Sequence, residues 1–270
     1  MPTRELVAFA LGPLVLAAIL WLPPWVFLAL VAVAVLLATH ELAGMARAHQ
    51  LAFNRCLPLL AVTAVLVSSW RFGWVGLAVA TTGTLALLPA AQLAHPERPR
   101  GGLTGAAVAC FAALYLGVGG TFLGWLRTLP SPEVAGRLTV FFLLCIWFGD
   151  SGAYYVGRTL GRHRMAPRVS PKKTWEGLAG GTLTTLAVAA AMKPLLVPQL
   201  GWWDAMAVAA ILTVAAPVGD LVESLFKRET GVKDSSTLLL GHGGFLDRTD
   251  SVLFGAPPVV LFLLGRGLIG

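Results

Sequence analysis

The chain has 270 residues, of which 57% are hydrophobic and only 12% charged, against about 25% charged in soluble domains. That balance excludes an ordinary soluble domain, so the net charge of +7 is read as membrane topology and phosphate binding, with no nucleic-acid partner expected. Cys56, Cys110 and Cys145 lie in or beside apolar runs without paired spacing, so neither a zinc site nor a disulfide framework is expected.

A spanning helix needs about 20 mostly apolar residues. In chain order the sequence offers nine: Leu6–Leu22, Trp25–Ala43, Leu57–Trp70, Phe72–Leu93, Leu103–Leu126, Leu138–Val156, Leu178–Val197, Trp203–Leu225 and Val252–Leu268. The first has no small-residue cleavage site after it and is read as a retained helix. The third is short and its neighbour follows at once, so the pair could instead form a re-entrant hairpin. With the N-terminus in the cytoplasm, that side holds Arg4, Arg47, Arg55, Arg98, Arg100, Arg158, Arg162, Arg164, Arg168, Lys172, Lys173, Lys227, Arg228, Lys233 and Arg248. The other side holds Arg71, Arg127, Arg137, Lys193 and Arg266, an asymmetry that sets this orientation. The expected fold is all-α and polytopic, with about nine transmembrane helices. Residues 1–137 form the N-terminal helices, and residues 138–270 form the region with a cytoplasmic-face site.

The first half is nearly featureless apart from His40 and Glu41, and Glu41 has too little context to favour function over structure. The polar features come later. Asp150, in Trp147-Phe-Gly-Asp-Ser-Gly, lies inside an apolar span, where a charge needs a partner. The loop from Arg158 to Glu176 ends in Ser170-Pro-Lys-Lys-Thr-Trp-Glu-Gly. Ser170 followed by Pro171 reads as an N-cap and first helical position. Lys172 and Lys173 then fall in a first turn, where the dipole disfavours cations, and this suggests an anion site. In the eighth span Asp220, Glu223, Ser224 and Lys227 fall at i, i+3, i+4 and i+7, one polar stripe on an apolar cylinder. Last comes Gly241-His-Gly-Gly-Phe-Leu-Asp-Arg-Thr-Asp250, whose glycines let backbone approach a ligand closely. An N-capping role explains one of Asp247 and Asp250. Clustered carboxylates suit Mg2+, and lysines, arginines and glycine-backed amides suit phosphate oxygens.

The stretch from Ser224 to Asp250 resembles the C-terminal signature of the phosphatidate cytidylyltransferase family. Ser224, Lys227, Arg228, Lys233, Asp234, His242, Gly243, Gly244, Asp247, Arg248 and Asp250 match it in order and spacing. The Asp150 and Ser170–Gly177 motifs are similar too, so the resemblance is clear over roughly residues 145–258. Leu240 departs from the family's usual Pro or Gly. The resemblance implies that CTP and phosphatidic acid give CDP-diacylglycerol and pyrophosphate with Mg2+ at the inner (cytoplasmic) membrane. It also implies a homodimer and a second cation such as K+.

On this reading the reaction centre is Lys172, Lys173, Asp220, Asp247 and Arg248. Asp220 and Asp247 are the principal metal ligands, with Asp150, Glu223 and Asp250 behind them. Ser170, Ser224, Lys227, Arg228, Lys233, His242, Gly243 and Gly244 contact substrate phosphate. Competing readings are a CTP-dependent enzyme acting on another lipid, such as a polyprenol kinase, and an ion-coupled transporter.

Overall fold

The computed structural model describes residues 2–48, 56–93, 102–232, 235–236 and 243–269, with the side chains of 2–11, 47–48, 92, 102–103 and 132–133 left out. Among the site residues expected above, Lys233 and His242 lie outside the described residues. The elements are α1 (Pro2–Trp21), α2 (Pro24–Ala48), α3 (Cys56–Leu93), α4 (Gly102–Ala112), a π-helical turn (Ala113–Gly117), α5 (Val118–Thr128), α6 (Pro132–Leu160), β1 (Arg164–Ala166), β2 (Ser170–Thr174), α7 (Trp175–Leu196), α8 (Trp202–Glu229) and α9 (Leu246–Gly265). The chain is thus a polytopic all-α membrane protein, and a two-stranded hairpin joins α6 to α7. Among the described residues seven helices are long and apolar enough to cross a membrane. These helices satisfy their backbone polar groups internally, as the lipid interior demands.

The difference from nine lies at two places. Within α1, the described stretch Gly12–Trp21 is a shorter apolar helix. The expected third and fourth spans form one element, α3, interrupted at Gly73, whose φ of 59° and ψ of −138° are not helical. A β-carbon at Gly76 would land on the carbonyl oxygen of Ser68. In a straight helix these residues would be about 12 Å apart, so the chain turns back at Gly73. Glycine reaches positive φ without the steric cost that other residues meet.

By contact the chain forms two units, each assembled from separate stretches of the sequence. Unit 1 comprises Met1–Phe27, Trp125–Leu225 and Asp250–Gly270, and unit 2 comprises Leu28–Gly124 and Phe226–Thr249. Unit 2 packs small residues of the π turn and of the helix after it against α2 and α3. Gly117 lies against Val65, and Gly120 against Val35 and Leu66. Ser69 and Thr121 share a 2.7 Å hydrogen bond, and Trp74 meets Phe122 edge to face at 5.6 Å.

Unit 1 is dominated by α6 against α7, and small residues on both helices permit the close approach. A β-carbon on Gly181 would lie 2.9 Å from both the Ala153 β-carbon and the Gly149 carbonyl oxygen. One on Gly180 would meet Val156. Close backbone approach through small residues is the usual source of helix affinity where lipid removes the hydrophobic drive. Gly181→Leu is therefore expected to lower stability by about 1–3 kcal/mol through overpacking. The check is thermal denaturation in detergent beside Gly44→Ala, where a β-carbon would meet nothing within 4 Å.

One local expectation is overturned. Ser170 and Pro171 do not start a helix, because residues 170–174 form β2, paired antiparallel with β1. The cap is Thr174, whose Oγ1 accepts the Gly177 amide at 3.1 Å. Glu176 then accepts the amides of Arg162 and His163 at 3.1 and 3.2 Å, pinning the start of the hairpin. Both Ser170 and Thr174 are good caps by type. Strand pairing of the residues between them selects the second. Lys172 and Lys173 therefore sit on a strand, where neighbouring side chains point to opposite faces, and not in a first helical turn.

Candidate functional site

In unit 1 three helices and the hairpin converge. Asp220 and Glu223 come from α8, Asp250 from the start of α9, Asp150 from α6 and Lys173 from β2. Gly219 makes the convergence possible, since a β-carbon there would lie 2.8 Å from the Asp250 carbonyl oxygen and 2.6 Å from the Phe254 β-carbon. One carboxylate oxygen from each of Asp220, Glu223 and Asp250 lies within 4.8 Å of the others. Glu223 and Asp250 are buried, and Asp220 is half-buried. Asp220 Oδ2 pairs with Lys173 Nζ at 2.7 Å, and its Oδ1 accepts from Ser224 Oγ at 3.3 Å. Lys173 also donates to the Pro217 carbonyl oxygen at 3.4 Å. Asp150 and Asp250 both lie within electrostatic reach of Asp220 and Lys173. Strand alternation leaves Lys172 exposed while Lys173 turns inward.

Three carboxylates this close repel one another unless a cation stands among them. Lys173 supplies one positive charge, and the all-oxygen donor set suits a hard divalent ion. The residues present therefore fit Mg2+.

Unit 2 holds the other half of the signature. Lys227, in the last turn of α8, pairs with Asp247 Oδ1 at 2.5 Å, and both side chains are nearly buried. Asp247 Oδ2 accepts the Ser235 and Gly244 amides at 3.0 and 2.8 Å and the Ser235 hydroxyl at 2.7 Å. Gly243 has a φ of 74°, which favours glycine. Gly244 is buried where a β-carbon would strike Ser235 and Glu41. Arg228 and Arg248 are exposed, and Arg228 Nη1 donates to the Val232 carbonyl oxygen at 3.4 Å. Asp220 and Asp247, expected as the principal metal ligands, belong to different units, and each is engaged within its own.

The amide that begins α9, that of Leu246, is held by a residue other than the two aspartates expected as caps. Phe245 and Leu246 donate to Glu41 at 3.0 and 2.9 Å, and Glu41 sits about 200 positions earlier in the chain. Sequence reading left Glu41 undecided. The only signal was an acid inside an apolar run, which burial makes costly enough to require partners.

These features define an integral membrane protein with a carboxylate–lysine cluster built between its spans. The chain belongs to the cytidylyltransferase family, whose family model matches residues 2–265. It is similar to proteins named phosphatidate cytidylyltransferase. The Mycobacterium bovis protein is 34% identical over 265 residues, which cover 93% of this chain and 85% of that protein. The Staphylococcus epidermidis protein is 38% identical over 159 residues, 59% of each chain. The Staphylococcus haemolyticus protein is 43% identical over 125 residues, 46% of this chain and 48% of that one. The chain thus spans less than two thirds of the staphylococcal relatives it matches. The family match reaches well upstream of residue 145, into helices that sequence reading knew only as apolar.

Proposed function

We propose that this chain transfers a cytidylyl group from CTP to phosphatidate, giving CDP-diacylglycerol and pyrophosphate. The observation that carries the reading is the Asp220, Glu223, Asp250 and Lys173 cluster, built in a member of the cytidylyltransferase family. A phosphate oxygen of phosphatidate forms a bond to the α-phosphorus of CTP, and the bond from that phosphorus to the pyrophosphate oxygen breaks. The attacking phosphate is already ionised near neutral pH, with a second pKa of about 6 as in other phosphomonoesters. No covalent enzyme intermediate is needed, and catalysis is mostly positioning and charge stabilisation.

Asp220, Glu223 and Asp250 would hold Mg2+, which when bound supplies charge neutralisation at phosphate oxygens. Lys173 is held in place by Asp220 and the Pro217 carbonyl oxygen, oriented to give its remaining donor capacity to a phosphate. Ser224 orients Asp220. Exposed Lys172, Arg228 and Arg248 are suited to meeting the polyanionic nucleotide as it arrives. Asp247 with Lys227 fixes the glycine segment whose backbone amides would approach phosphate. The reading includes K+ as a second cation, a homodimer, and the bacterial inner membrane with the site facing the cytoplasm. The excess of basic residues on that side supports the orientation.

The test is pyrophosphate release by the detergent-solubilised protein given CTP, Mg2+ and phosphatidate, each omitted in turn. Release that requires all three, with a CDP-lipid product, is expected. Release of CDP with a phosphorylated lipid would replace the reading with a lipid kinase. Cation flux without nucleotide would replace it with a transporter.

A further inference from the structure

We propose that Glu41, carried on α2, is a positioning residue for the signature segment that begins α9. Its kinetic readout rests on the proposed cytidylyl transfer, but its structural readout does not. Glu41 is 3% exposed on a mostly apolar helix, where a carboxylate is expensive without full hydrogen bonding. Unit 2 supplies that bonding from one source. Oε1 accepts the Ser236 hydroxyl at 2.6 Å and the Phe245 amide at 3.0 Å. Oε2 accepts the Ser235 hydroxyl at 2.9 Å and the Leu246 amide at 2.9 Å.

Each oxygen thus takes one hydroxyl and one backbone amide, all from residues 235–246. The two amides stand at the N-terminus of α9, where amides lack intrahelical partners and a negative charge is favoured. Ser235 carries the effect onward, because its hydroxyl also lies 2.7 Å from Asp247 Oδ2 and has only one proton to offer two carboxylates. Moving Glu41 therefore moves Ser235 and the environment of Asp247 and Lys227. Gly244 admits no side chain because Glu41 and Ser235 occupy that space. A carboxylate that merely stabilised the helix bundle would have no reason to spend every bond on the segment that carries the family signature.

The experiment compares the full-length wild type with Glu41→Gln, Glu41→Asp and Ser236→Ala in one detergent. Glutamine keeps the shape but turns an amide donor towards donors. In Glu41→Gln the kcat should fall about 10–100-fold, the usual effect of losing an outer-shell orienting partner, with a smaller change in KM for CTP. Amide hydrogen exchange should accelerate across residues 243–249 and not in α6 or α7. Glu41→Asp should recover part of the loss, and Ser236→Ala should show the same pattern more weakly. Wild-type kcat and exchange in Glu41→Gln would overturn the proposal, as would exchange accelerated equally in α6 and α7. If the wild type releases no pyrophosphate, the enzymatic reading falls. The exchange arm then decides alone, with acceleration confined to residues 243–249 supporting the anchor and no acceleration overturning it.

Discussion

Asp220→Asn is expected to lower pyrophosphate release by about 10²–10³-fold, the range typical when a charge-stabilising group is removed from an active site, with folded protein still reaching the membrane. Asp220 is the shared member of its cluster. It pairs with Lys173 through Oδ2, accepts from Ser224 through Oδ1, and offers an oxygen within 4.8 Å of Glu223 and Asp250. Asparagine is nearly isosteric, so packing against α9 at Gly219 is retained. What goes is the charge that anchors Lys173 and completes the oxygen set. The variant should also need more Mg2+ for half-maximal turnover, since a neutral amide oxygen binds a hard cation less well than a carboxylate. Turnover near the wild-type value at ordinary Mg2+ would remove Asp220 from the metal assignment.

Lys227→Met is expected to cost about 3–5 kcal/mol, because it breaks a nearly buried ion pair and strands the Asp247 charge. The side chains of Lys227 and Asp247 are only 11% and 13% exposed, so solvent screens the pair little. Thermal denaturation in detergent reads the loss, at about 2–4 °C per kcal/mol for a chain of this size class. Lys227→Met combined with Asp247→Asn should recover much of that stability. The amide still accepts the Ser235 and Gly244 amides, and both charges of the pair are gone. Activity should stay low in the double variant. Equal stability of the single and double variants would show that the pair does not hold this segment. Full activity in the double variant would show that its charges do not matter to the reaction.

Much of the architecture was legible because lipid imposes a simple rule: backbone polar groups must be satisfied within a helix or a closed barrel. Apolar length therefore located α2, α4 with α5, α6, α7, α8 and α9 to within six residues of their observed ends. The stripe on the eighth span was legible for a similar reason, since helical periodicity places Asp220, Glu223 and Ser224 together without any tertiary information. The reversal at Gly73 was expected two residues earlier, at Arg71 between the third and fourth spans, because a positive-φ glycine leaves no mark on composition. The start of α7 was misplaced. Ser170-Pro171 and Thr174 are both good start signals, and local propensity is blind to the β1 partner that claims residues 170–174.

The sequence by itself determined that this chain spans a membrane and where its acidic stripe, basic loop and glycine-rich segment fall along the chain. Those are properties of residue type and short-range spacing. Tertiary structure decided the partners. It joined Asp250 to Asp220 and Glu223 across two helices, gave Lys173 to Asp220 and Lys227 to Asp247, and brought Glu41 to the amides at the head of α9. A buried charge takes whichever complementary group the packed helices bring within hydrogen-bonding distance. That distance is set by small residues, Gly219 and Gly181 at helix crossings and Gly244 beside Glu41, not by separation along the chain.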